Sequence, residues 1–197
     1  MTIGQLSLAT GSSTNSATLF LPFIEETCTT FEINTPIRQL CFLAQVGHES
    51  GGLFFTEELA SGSAYEGRKD LGNTQKGDGI KFKGRGLIQI TGRANYTAIG
   101  KFLNEDFISN PTLLGGKNVN KCSPIQLKNA ALSAGWFWNS RNINSLADKM
   151  DISKDITLQA NMSAFIAITK KINGGTNGLN DRVQRYNKGL PFFRTTT

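Results

Sequence analysis

Apolar side chains recur at helical spacing through most of this chain, and breaks in that rhythm mark the rest. From Thr18 to Phe31, the residues Leu19, Phe20, Phe23, Ile24, Cys28 and Phe31 share one helical face, with Pro22 near the expected start. A proline is tolerated in a first turn, where its missing N–H has no partner to lose. Thr35 then reads as an N-cap with Pro36 at the first helical position. Ile37, Leu40, Cys41 and Ala44 form the buried stripe of that second helix, and Gly51-Gly52 ends it.

Between about residues 61 and 92 the texture changes to glycine and charge. Ile80-Lys81-Phe82-Lys83 alternates and Leu87 to Ile90 is a short apolar run, so a small β-hairpin is expected. A helix restarts after Thr91 and runs to about Leu103; Asn110-Pro111 marks a turn. Ser123-Pro124-Ile125-Gln126 has the form of a capping box, and Leu127, Ala130, Ala131, Ala134 and Trp138 continue its apolar face. A short helix is expected over Asn142–Met150, another from about Asp155 to Ile172, and a last one over Leu179–Lys188. Residues 1–16 are polar and rich in Ser and Thr, which suggests a loosely held lead-in to one domain over 17–197. The fold class is α+β, mainly α-helical, with a small β-hairpin insert.

The chain has 197 residues, 39% hydrophobic and 18% charged, enough for one globular domain with a substantial core. Its net charge of +6 favours anionic partners. The cations are spread along the chain without a basic block, so a nucleic-acid footprint is not expected. Three cysteines without a C-x-x-C pair, Cys28 and Cys41 within apolar helical patterns, read as reduced core residues. The first twenty residues hold no Lys or Arg and no continuous apolar run, so neither a secretory leader nor stable membrane insertion is expected.

Candidate chemistry gathers between Thr35 and Tyr65. Glu49 falls at a helix C-terminus, whose partial negative charge favours the protonated carboxyl that a general acid needs. Glu57 and Glu58 follow across a turn, where a second carboxylate could activate water. An extended segment turns neighbours to opposite faces, so one of the two is expected to be a solvated spectator. Glu66 is a third candidate. His48, the one histidine, cannot build a multi-histidine metal site and is expected to line a pocket. Helical spacing in an Ala-rich stretch favours core packing for Trp136, Phe137 and Trp138 over sugar stacking. No metal or cofactor is expected.

Three stretches then carry a resemblance: GHESGG at 47–52, FKGRGLIQITGRANY at 82–96 and INGGTNGLNDRVQRY at 172–186. In this order they resemble the family 19 glycoside hydrolases, closest to phage endolysins with a lysozyme-like, bilobal fold. The resemblance implies inverting hydrolysis of β-1,4 links between amino sugars. It implies Glu49 as general acid, Glu58 as base with Glu66 in reserve, and Thr91 as holder of the attacking water. Gln89, Asn95, Tyr96 and Asn173 match sugar-binding positions. Arg182 matches a nearby basic residue that could instead brace the acidic ones. The charge favours bacterial peptidoglycan over chitin oligosaccharides, and hence a muramidase-type endolysin. Such a lysin is expected to be a monomer, made in the host bacterial cytoplasm and released by a holin to the periplasm and cell wall. A chitinase, or a catalytically silent wall-binding domain, is the competing expectation.

Overall fold

The computed structural model describes residues 1–194; the last three residues of the 17–197 stretch lie outside it. Among the described residues the chain forms helices α1 (Ile3–Thr10), α2 (Thr14–Thr30), α3 (Pro36–Glu49), α4 (Asp78–Lys81), α5 (Arg93–Leu103), α6 (Pro124–Ser140), α7 (Asn144–Ala147), α8 (Gln159–Asn173) and α9 (Leu179–Arg194), plus short 3-10 turns. None is long and apolar enough to cross a membrane.

Local capping accounts for the boundaries that were read correctly. Thr35 accepts from the Arg38 N–H ahead of Pro36, and Ser123 and Gln126 close a reciprocal capping box. The main core joins α1, α2, α3, α6, α8 and α9 around Phe20, Phe42, Trp138, Phe165 and Tyr186. Trp138 sits edge-on to Phe42, and its indole N–H donates to Asn144 Oδ1 at 2.8 Å. Cys28 and Cys41 are buried free thiols in this core, and burial pushes Cys28 up to about 12. A second, smaller core gathers Phe82, Ile90, Tyr96, Ile99, Phe107 and Leu114. Leu103, Trp136 and Phe137 pack on both.

The structure corrects three expectations. Residues 1–16 are not a loose lead-in. Thr2 and Gln5 form a capping box, Leu6 and Ala9 are fully buried, and α1 packs on α2, α3 and α9. Pro22 lies inside α2, which starts at Thr14 behind the Ser13 cap. The β-hairpin is absent: Asp78–Lys81 is helical, with Ile80 exposed and Phe82 buried. Two residues apart, they would share a face in a strand. The Glu66 carboxylate accepts from the N–H groups of Gly77 and Gly79 at 2.7 and 2.8 Å, and this cap decides for helix over the alternating pattern. Pairing survives only as isolated bridges of Arg85 with Glu57 and with Ile90.

Close approach between α2 and α6 depends on Gly135. A Cβ there would stand 2.5 Å from Thr27 Cγ2 and press into the Phe31 ring. Gly135→Ala should therefore cost about 2 kcal/mol, lowering the melting temperature by roughly 6 °C. Gly4→Ala on exposed α1, where the nearest atom is 3.9 Å away, should instead be neutral or slightly stabilising. Calorimetry of the two variants checks the contrast.

Candidate active site

Glu49 is the last residue of α3, and the turn beyond it is closed by its own polar groups. Ser50 Oγ donates to Val46 O and accepts from the Leu53 N–H at 2.8 Å. The Phe54 and Phe55 N–H groups both reach Ser50 O. Gly52 adopts a left-handed φ of +74° with Gly11 O so close that a Cβ would lie 2.7 Å from it. Leu53 follows at φ +59° and is fully buried. The direction in which the chain leaves Glu49 is thus set by backbone geometry that few sequences accept.

The Glu49 carboxyl is braced by Arg182 of α9, whose Nη2 donates to Oε1 at 2.5 Å. Arg182 is fully buried. Its Nη1 donates to Gln45 Oε1 at 2.6 Å, Gln45 Nε2 donates to Thr169 Oγ1 at 3.0 Å, and its Nε reaches Asn177 O at 3.4 Å. One chain of hydrogen bonds therefore locks α3, α8 and α9 behind Glu49. The brace takes Oε1 and leaves Oε2 for other partners. Beside it His48 Nδ1 lies 2.7 Å from Asp181 Oδ2, which also accepts from Arg185 Nε at 2.7 Å. Burial works against the Asp181 charge, but the hydrogen bonds from Arg185 and His48 outweigh it and hold the carboxyl below its ordinary range. The Arg185 guanidinium continues to Thr10 O, tying α1 into the same cluster.

Glu58 is held differently. Its N–H donates to Gly84 O at 2.9 Å, and the Gly84 N–H returns to Glu58 Oε2 at 2.8 Å. The Tyr65 hydroxyl donates to Oε1 at 3.4 Å. Burial, then the neighbouring Glu58 charge, keeps that hydroxyl protonated above the ordinary tyrosine range. Gln89 Oε1 converges on the same place, since a Cβ on Gly84 would lie 2.8 Å from both it and Glu58 Oε2. Thr91 Oγ1 donates to Gln89 O at 3.0 Å, and Asn95 Nδ2 to Thr91 O at 2.8 Å. Gln89, Thr91 and Asn95 thus form one hydrogen-bonded run, and the Gln89 side chain and Glu58 both lie against Gly84.

Other candidates fall elsewhere. Tyr96 is fully buried, donating to Lys83 O at 2.6 Å and accepting from Arg85 Nη1 at 3.1 Å, so its side chain braces the core rather than facing a glycan. Arg182, equally buried, takes the bracing role and not the sugar-binding one. Both Glu66 oxygens are committed to the α4 cap. Asn173 is exposed at the end of α8, and no hydrogen bond ties it to either glutamate. Glu57 is not a solvated spectator: it is buried, with Lys83 Nζ on Oε1 and Arg85 Nε on Oε2, each at 2.9 Å. Burial opposes its charge, but those two hydrogen bonds prevail and hold it below the ordinary glutamate range. Gln45, Tyr65, Lys83, Arg85 and Asp181 were not foreseen. Gln45 had a signal, a polar residue four before Glu49 on the buried stripe; Lys83 and Arg85 had one in the cation pair flanking Gly84.

This chain is a glycoside hydrolase. It belongs to glycoside hydrolase family 19, because the family model described as class I chitinase matches residues 28–196. A family 19 domain-containing protein of Haemophilus influenzae is 29% identical over 181 residues, covering 76% of this chain and 77% of that protein. An Arabidopsis thaliana endochitinase is 35% identical over 156 residues, covering 78% of this chain but 46% of its own length. The chain spans about half the length of the plant endochitinases it matches. Chitinase C of Streptomyces griseus superposes with a TM-score of 0.65 over 100% of this chain and 77% of that one, at 22% identity. A bacterial family 19 chitinase gives 0.64 at 21%, over 98% of this chain and 94% of that one. The mainly helical fold is similar to theirs.

Gly84→Ala should displace the flexible tips of Glu58 and Gln89 at little cost to the fold. A misplacement near 1 Å lowers turnover by about 10²-fold. The expected outcome is that loss with an unchanged melting temperature, read by calorimetry and an oligosaccharide assay. Acid should also weaken the fold through Glu57. Its folded pKa lies below the ordinary 4.5, so its contribution is complete above that value and is lost as pH falls through the lower, folded one. The urea midpoint should fall from about pH 4.5 downward, and more gently in Glu57→Gln.

Proposed function

We propose that this chain hydrolyses β-1,4 links between amino sugars of bacterial peptidoglycan with inversion at the anomeric carbon, Glu49 acting as acid and Glu58 as base. The observation that carries the reading is that two carboxyls on either side of one turn are each fixed by partners of their own. Glu49 is gripped by a buried guanidinium on Oε1, with Oε2 open to deliver a proton. Glu58 accepts from the Gly84 N–H and the Tyr65 hydroxyl, which fix where its carboxyl points.

Glu49 Oε2 protonates the glycosidic oxygen as the bond to the anomeric carbon lengthens. Glu58 removes a proton from a water that attacks the opposite face, for which the two carboxyls must stand about 6.5–9.5 Å apart. The Thr91 hydroxyl, whose own proton goes to Gln89 O, accepts from that water and so orients it. Gln89, Asn95 and Asn173 bind the sugar. No cofactor is required for these steps.

Peptidoglycan is favoured by the net charge of +6, which draws the protein to a carboxylate-bearing wall. Lys170 and Lys171 are exposed at the end of α8, next to Asn173 in the chain. In this reading the protein is a monomeric endolysin that reaches the wall after a holin opens the host membrane. A second reading, cleavage of chitin oligosaccharides, is favoured by the names of the plant relatives, which are endochitinases.

Glu49→Gln and Glu58→Gln should each lower kcat by at least about 10²-fold while circular dichroism stays native. Near-normal activity of either variant removes that residue from its role. Mass spectrometry of digested sacculi should find new reducing ends at muramic acid. Intact sacculi beside cleaved N-acetylglucosamine hexamers would decide for chitin.

A further inference from the structure

A base carried on a loop needs a rigid seat, and the polar groups around Glu58 show where that seat comes from. Glu58 meets the rest of the protein through Gly84, by the reciprocal bonds at 2.9 and 2.8 Å. Lys83 and Arg85 flank that glycine, and their side chains are 8% and 7% exposed. A buried ammonium is stable only when its protons find acceptors. Lys83 Nζ has three donors and three acceptors: Glu57 Oε1 at 2.9 Å, Glu58 O at 3.0 Å and Ala60 O at 3.2 Å. These acceptors lie before, at and after the base in the chain. Arg85 holds the other Glu57 oxygen, and its Nη1 reaches Lys81 O and the Tyr96 hydroxyl. The Tyr96 hydroxyl donates in turn to Lys83 O, which closes the ring of contacts.

The geometry points to Lys83 as a positioning residue for the Glu58 carboxylate, with Glu57 as the counter-ion that anchors it. Lys83 touches no reacting atom in this account. It staples residues 57, 58 and 60 to the strip that carries Gly84, and so fixes where the Glu58 carboxyl points. The inference rests on the reading of Glu58 as the base. Its chemistry is that of a buried ion pair whose partners bracket a catalytic group, and whose rupture loosens the segment rather than removing a catalytic atom.

The test is a double-mutant cycle between positions 83 and 58, read as kcat and KM on soluble peptidoglycan glycan strands, or on an N-acetylglucosamine hexamer if sacculi stay intact. Lys83→Met should lower kcat by about 10²-fold and change KM by less than about threefold, the pattern of a displaced catalytic group. In the Glu58→Gln background, where no carboxylate is left to position, Lys83→Met should change the residual rate by less than about twofold. A loss of the same size in both backgrounds overturns the positioning role and leaves Lys83 a structural residue. Should Lys83→Met not stay folded at the assay temperature, Glu57→Gln enters the same cycle. It leaves Lys83 its bonds to Glu58 O and Ala60 O, and is expected to lose about tenfold with Glu58 present and almost nothing without it. Near-normal turnover of Glu58→Gln alone would instead sink the base assignment, a result separate from either outcome of the cycle.

Discussion

A fully buried guanidinium governs this structure. Arg182 can be buried only because Glu49, Gln45 and the Asn177 carbonyl receive its protons, and those partners come from α3 and the loop before α9. The same contacts decide how α3 and α9 lie against each other. Gln45 carries the constraint on to Thr169 of α8. A charge that would be unstable alone thereby sets both the packing of three helices and the direction of the Glu49 carboxyl.

The other carboxyl is secured by a different strategy. Glu58 lies beyond a turn rather than on a long helix, so its position comes from backbone pairing with Gly84 and from the ion pairs on either side. The small core of Phe82, Ile90 and Tyr96 lies beneath this strip. Glu49 and Glu58 are thus held by different sets of partners, and the connection between them, residues 50–57, is short and internally hydrogen-bonded. Such a division lets each carboxyl be held firmly without the other.

How much of this could be read from the sequence depends on range. Caps are local, so Thr35-Pro36 and the Ser123 box located α3 and α6 well. The capping box of Thr2 and Gln5 was equally visible, but the Ser/Thr-rich composition around it suggested a loose segment. The hairpin failed because Ile80–Lys83 alternates while the decisive Glu66 cap lies 11 and 13 residues away from its two partners. Motif resemblance nominates Glu49, Glu58, Gln89 and Thr91, yet it carries no information on side-chain direction. Tyr96 and Arg182 sat in the right motifs and turned inward. The partner of Glu49 is 133 residues distant in the chain, and only the folded packing brings it there.

The first helix also bears on the chemistry. Gly47 packs so tightly on Thr10 that a Cβ would lie 2.5 Å from its carbonyl oxygen, Gly52 abuts Gly11, and Arg185 reaches Thr10 O. The end of α1 is therefore a buttress under the turn that follows Glu49. A protein engineer trimming the polar start to shorten the enzyme would be quarrying stone from the foundation of that turn.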